Sequence, residues 1–138
     1  MKTLMLALSV MLFSTAAFSQ VKADELVNFK ETVYDFGKIK QGVPVNHEFA
    51  FTNVSTKPVV IESATASCGC TTPTWPQAPI AQGKSDKLKA GFNAAAPGSF
   101  TKQITVKVAG AQQPVLLTIK GEVLNADAYA QFEKSKGK

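Results

Sequence analysis

From Val27 to Leu124 apolar side chains recur at every second position, and Gly, Pro and Asn break the pattern at short intervals. A period of two places alternate side chains on opposite faces of an extended chain, so this spacing predicts strands with one buried face. The clearest is "VNHEFAFTN". There Val45, His47, Phe49 and Phe51 share one face, and Asn46, Glu48, Ala50 and Thr52 share the other. Similar alternation predicts strands over 26–31, 34–39, 59–67, 86–93, 99–108 and 114–123. In the strand over 99–108, Phe100, Ile104, Val106 and Val108 form the apolar face, and Lys102 interrupts it. About seven short strands separated by turn residues predict an all-β fold, an immunoglobulin-like antiparallel β-sandwich. Its inward residues include Phe49, Phe51, Phe92 and Phe100.

Two segments depart from the alternation. Residues 71–85, "TTPTWPQAPIAQGKS", carry Pro73, Pro76 and Pro79, which lack backbone donors; the stretch is expected to be a loop or an irregular edge. The polar tail 125–138 contains Ala, Gln and Glu and is expected to form a short helical turn or nothing ordered.

The N-terminus reads differently. Lys2, an apolar run from Leu4 to Phe13 and small residues before Gln20 make the three-part pattern of a secretory signal peptide, with Ala17 and Ser19 directing cleavage just before Gln20. The apolar run is shorter than the roughly 20 residues a membrane span needs, and no later segment approaches that length. The expected organisation is a signal peptide over 1–19, one sandwich domain over 20–124 and the tail. The product is expected to be exported, to the periplasm or beyond.

Composition narrows the function. The chain of 138 residues has a net charge of +5 and contains no arginine. Without the guanidinium fork that favours base and phosphate recognition, the charge reads as solubility, and no nucleic-acid partner is expected. No serine sits in a nucleophile elbow and no carboxylate pair has a spacing that argues for acid–base work, so no catalytic residue is assigned and the chain is not read as an enzyme. No cofactor is expected. Asn53 begins an N-V-S acceptor sequence but is read as a turn residue.

The two cysteines, Cys68 and Cys70, are separated only by Gly69. They cannot form the inter-sheet staple of antibody domains, but a turn at Gly69 brings them within bridging reach. So small a closed loop removes little entropy from the unfolded chain. Three readings stay open. The pair is structural, packed beneath the proline-rich segment and Trp75; or it performs thiol–disulfide exchange; or it holds a soft metal such as copper(I) or zinc. Against exchange, only Lys57 and His47 could lower a thiol pKa, and neither is near in sequence. Against a metal, the only histidine is His47 and every methionine (Met1, Met5, Met11) lies in the signal segment, so no metal site is assigned. His47 itself is expected to be a hydrogen-bonded histidine at the rim of the core. Trp75, on a loop stiffened by prolines, is the interaction candidate.

Five ordered motifs, "YDFGKIKQG", "HEFAFTNVSTKPVVI", "SCGCTTP", "GSFTKQITVKV" and "LLTIKGEV", resemble the exported bacterial domain-of-unknown-function family numbered 1573. That family is similar to the major sperm protein and the ASPM/SPD-2/Hydin modules. The resemblance implies a sandwich in an exported setting and supplies no activity. Gly37 and Gly69 are read as structural glycines. Many members are lipid-anchored through a cysteine at the cleavage site; this chain has none there, so it is expected to be free of a lipid anchor. The expected function is a non-enzymatic binding or scaffolding module that contacts another envelope or secreted protein through a sheet edge or the Cys68–Trp75 loop. The alternative is a redox or copper(I)-handling protein using Cys68 and Cys70.

Overall fold

The computed structural model describes residues 16–137. Residues 1–15 of the expected signal peptide lie outside the described part, and 16–19 carry no regular structure. A 3-10 turn, Ala23–Glu25, leads into eight strands: β1 (Val27–Phe29), β2 (Val33–Lys40), β3 (Val45–Asn53), β4 (Ile61–Ala66), β5 (Thr71–Thr74), β6 (Ser85–Phe92), β7 (Gly98–Val108) and β8 (Val115–Leu124). They build two four-stranded sheets, ordered β1-β3-β6-β5 and β2-β8-β7-β4.

The alternation read from the sequence becomes the core. Phe49, Phe51 and Leu88 from the first sheet meet Ile104, Leu117 and Ile119 from the second, all fully buried. Aromatic rings knit the layer further: Phe29 lies against Phe51 with centroids 5.1 Å apart, and Phe92 stacks on Phe100 at 4.1 Å. Such ring pairs add to the area they bury.

Three expectations need correction. The sandwich has eight strands, because part of the proline-rich segment forms β5. The amide of Asn93 donates to Cys70 O, so by antiparallel alternation Thr72 and Thr74 bond to β6 while Pro73 turns its missing N–H away from the sheet. An edge strand tolerates that; a central one would not. Second, the sheets are not wholly antiparallel, since β2 pairs in parallel with β8. Third, the tail forms a regular helix, α1 (Ala126–Lys136), capped by the Asn125 side chain, which accepts from Ala128 N at 2.9 Å. The helix buries no residue; Lys38 Nζ lies 5.3 Å from the Phe132 ring centre.

The β2–β8 pairing slips between Asp35 and Lys38, a bulge in which Gly37 has φ +67° and donates its amide to Asp35 Oδ1. Glycine occupies this left-handed conformation without steric penalty. The bulge pushes Gly37 O toward β8. A side chain on Gly121 would place its Cβ 2.7 Å from that oxygen and 3.0 Å from the Phe100 ring. Gly121→Ala is therefore expected to destabilise by about 1–3 kcal/mol, the usual cost of overpacking a close approach. Urea unfolding checks it, and an unchanged midpoint contradicts the argument.

Each flank of the sandwich is closed where the chain crosses from one sheet to the other. On one flank residues 30–32 link β1 to β2; on the other residues 67–70 link β4 to β5.

Candidate functional site

The second crossover holds the cysteines. Ser67 N donates to Gln103 O at 2.9 Å, and Gln103 N to Ser67 Oγ at 3.1 Å, which ties the start of the turn to β7. At its other end Cys70 O accepts from Asn93 N at 3.0 Å, just beyond β6. Between these anchors the chain reverses at exposed Gly69, and Cys68 and Cys70 are joined as a disulfide with Cα atoms 5.4 Å apart. Both cysteines are half-buried, but unequally placed. Cys70 packs against the core, whereas Cys68 lies outside it with Sγ 3.8 Å from Thr71 Oγ1.

Cys70 lines a cavity of about 180 Å³ together with Phe92, Asn93, residues 95–99, Phe100 and Lys102. Lys102 is the signal whose role was missed in the sequence. Its register partner on β8 is buried Ile119, so the side chain leaves β7 on the inward face. A cation between Phe100 and Ile104 on an apolar face pointed to this position; what the linear chain did not show was that the disulfide lies beside it. Between the lining residues Asn93 and Ala95 stands Ala94, which is fully buried at φ +53° and is the one non-glycine residue with positive φ among the described residues.

Trp75 follows β5 directly. It is half-buried against the core, and its indole Nε1 is buried without a hydrogen-bond partner. The ring thus covers the protein's own core over much of its surface. Because the orphan N–H contributes only a desolvation cost, Trp75→Phe is expected to leave stability unchanged or raise it slightly, whereas Trp75→Ala should lose roughly 2–4 kcal/mol of packing. Thermal unfolding of the two variants separates these effects.

His47 sits on the opposite flank. Its Nε2 lies 2.6 Å from Glu31 Oε1, its ring stacks on Tyr34 at 3.5 Å between centroids, and Phe49 meets it edge-on. It is a partnered histidine at the rim of the core, as expected, and the structure does not bring it to the cysteines. Among the described residues no group of three metal-ligating side chains assembles. With both sulfurs in a disulfide, neither is a thiolate ligand.

Asn53 differs most from its expected role. It is fully buried, and its Nδ2 donates to Lys57 O at 2.7 Å and Ile80 O at 2.9 Å, while Oδ1 accepts from Ser55 N at 2.9 Å. The residue does organise a turn, but as a buried hub, and its amide nitrogen is fully engaged. Surface electrostatics contribute little beside this. On the outer face, a 2.9 Å hydrogen bond and the charge of Lys87 hold the Glu48 carboxyl below its ordinary range, and Lys87 is raised in return. The pair is solvent-exposed, so its small stabilisation exists above the ordinary carboxylate range and fades as pH falls through the lowered one.

With the geometry in place, comparison with known proteins is informative. Residues 27–123 match the family described as a protein of unknown function, DUF1573. The chain belongs to this family. No curated protein matches it in sequence. Among solved structures, this DUF1573 chain is similar to a protein of unknown function from Porphyromonas gingivalis W83, with 18% identity and a TM-score of 0.61 over 80% of this chain and 51% of that one. It is also similar to the ASH/PapD-like domain 7 of human CEP192, with 10% identity and a TM-score of 0.63 over 88% and 99%. A third likeness is WR4, an MSP family member of Caenorhabditis elegans, with 14% identity and a TM-score of 0.51 over 72% and 98%. The DUF1573 chain thus spans about half the length of the Porphyromonas protein. At these identities the likenesses establish an immunoglobulin-like fold of the PapD and MSP type. Fold alone assigns no activity.

Proposed function

We propose that the protein is an exported, non-enzymatic binding or scaffolding module that engages another envelope or secreted protein along β4, with the adjoining Cys68–Trp75 segment as the flank of the contact. The observation that carries this reading is the unequal state of the four edge strands. β1 has three residues, which is too short a template. β2 is kinked at Asp35–Lys38, where the Asp35 carboxylate occupies the Gly37 amide. β5 lacks the outward donor at Pro73.

β4 is different. Its bulge is confined to Ile61–Ser63, and the Ser67–Gln103 bond sets the alternation so that Ala64 and Ala66 turn their backbone groups away from β7. Among the described residues no protein group bonds to those amides and carbonyls; Ala64 is buried, so the half-buried Ala66 is the more accessible of the two. An edge with free donors and acceptors and no proline can accept an added strand. Export is supported by the charge, apolar and small-residue order of residues 1–19.

A photo-crosslinking residue placed at exposed Thr65, in the cell that exports the protein, should give a discrete adduct. The same group at Leu116, which is 51% exposed on interior strand β8, should not. Equal labelling at both positions, or none at Thr65, counts against the reading.

A further inference from the structure

We propose that the Cys68–Cys70 disulfide is a thiol-exchange site for a dithiol substrate, with Cys70 as the leaving sulfur and Lys102 as the group that stabilises it. Three independent features meet at the one cavity. Of the disulfide's two cysteines Cys70 lines the cavity, while Cys68 lies outside both its lining and the core. Lys102 is the only charged side chain lining it, and no carboxylate lies within ion-pair distance of that ammonium among the described residues. The 95–99 wall follows directly on Ala94, whose positive φ is a costly backbone state, and it is held by Gly42 N donating to Ala94 O at 2.9 Å and Gln41 Nε2 donating to Ala95 O at 3.0 Å.

A bridge that served only to pin a turn would need none of this. A lysine on an inward face loses hydration and rotamer freedom, and within this wall it has no anion to compensate it. An anion appears there when the disulfide opens. A substrate thiolate attacks Sγ of the outer Cys68; the Cys68–Cys70 bond breaks and its electron pair leaves on Cys70 as a thiolate facing Lys102. The second substrate thiol, as its thiolate, then attacks the substrate sulfur of the mixed disulfide. Cys68 leaves, and the substrate closes its own disulfide. The two electrons end on Cys68 and Cys70, and the two protons lost by the substrate thiols are matched by the two taken up when both cysteines become thiols. Exchange rates rise as the leaving thiol becomes a better anion, so a neighbouring cation accelerates the first step.

The test uses the folded oxidised protein with dithiothreitol, which attacks as its monoanionic thiolate, and in parallel with cysteamine, whose ammonium offsets that charge, so that steering by Lys102 is separated from stabilisation of the leaving sulfur. Reduction followed by thiol appearance should slow roughly three- to tenfold in Lys102→Met and return to near the native rate in Lys102→Arg. A Lys102→Met rate within twofold of the native one overturns the proposal, as does a loss that arginine does not restore. A second measurement needs no variant: quenching a partial reaction with 2-mercaptoethanol and mapping the adduct by mass should place it on Cys68. An adduct on Cys70 overturns the assignment of the leaving sulfur. Because neither readout involves β4, failure here is separate from failure of the binding reading.

Discussion

Replacing Asn53 with alanine is expected to lower the free energy of unfolding by about 3–4 kcal/mol, more than its position in a turn suggests. The side chain is fully buried and joins two segments: the turn after β3, through Ser55 and Lys57, and the proline-rich stretch, through Ile80. Its own backbone extends the same junction, with Asn53 N donating to Lys84 O and Gly83 N to Asn53 O. Alanine removes four hydrogen bonds; the Ile80 and Lys57 carbonyls keep Val59 N and Ser55 Oγ, but the Ser55 amide loses its acceptor, at about 1–3 kcal/mol for an unsatisfied group, and the other lost bonds add about 0.5–1.5 kcal/mol each. Asn53→Asp is the sharper comparison. It keeps an acceptor toward Ser55 but turns a second oxygen toward two carbonyls, so at neutral pH it should destabilise at least as much as alanine. Urea unfolding of both variants decides the matter. A loss below about 1 kcal/mol in the alanine variant would show that the hub is not energetically important.

The largest effect is expected at Phe49. Its ring is fully buried between the sheets and meets His47 edge-on with centroids 4.8 Å apart. Removing a buried phenyl ring costs the transfer free energy of its atoms and leaves a void that the surrounding core only partly fills. Phe49→Ala should therefore lose about 3–5 kcal/mol. Domains of this size have about 5–15 kcal/mol in total, so this one change removes a large share of the margin and should lower the melting temperature by tens of degrees or prevent accumulation of folded protein. Phe49→Leu, which keeps most of the volume, should recover much of the loss. If the alanine variant melts near the native temperature, the core has been assigned to the wrong face of β3.

The binding and exchange readings make different demands on the Cys68–Trp75 region. Strand addition at β4 requires backbone groups that stay free, whereas exchange requires a disulfide with one accessible sulfur. The crossover satisfies both, because the turn is anchored to each sheet through backbone and Ser67 hydrogen bonds that do not involve the sulfurs. Opening the disulfide would leave those anchors in place. A substrate strand docked along β4 would also lie next to Cys68, so the two activities are sterically compatible.

The sequence by itself determined the strands, their inward faces and the class of fold, because side-chain direction in an extended chain is a local property with a period of two. Val45 to Asn53 needed nothing beyond its own residues, and neither did the apolar faces of β6, β7 and β8. Other features were decided only in three dimensions. The Thr71–Thr74 strand depends on lying at an edge, where the missing donor of Pro73 meets no partner. The parallel pairing of β2 and β8 joins segments some eighty positions apart in the chain, and no local pattern encodes it. Asn53 and Lys102 show the same division: each is visible as a polar residue in the sequence, but the Ile80 carbonyl that holds one and the disulfide turn near the other come from connecting segments far away in the chain. Burial and electrostatic partnership are properties of packed neighbours, so they exist only once the two sheets have closed on each other.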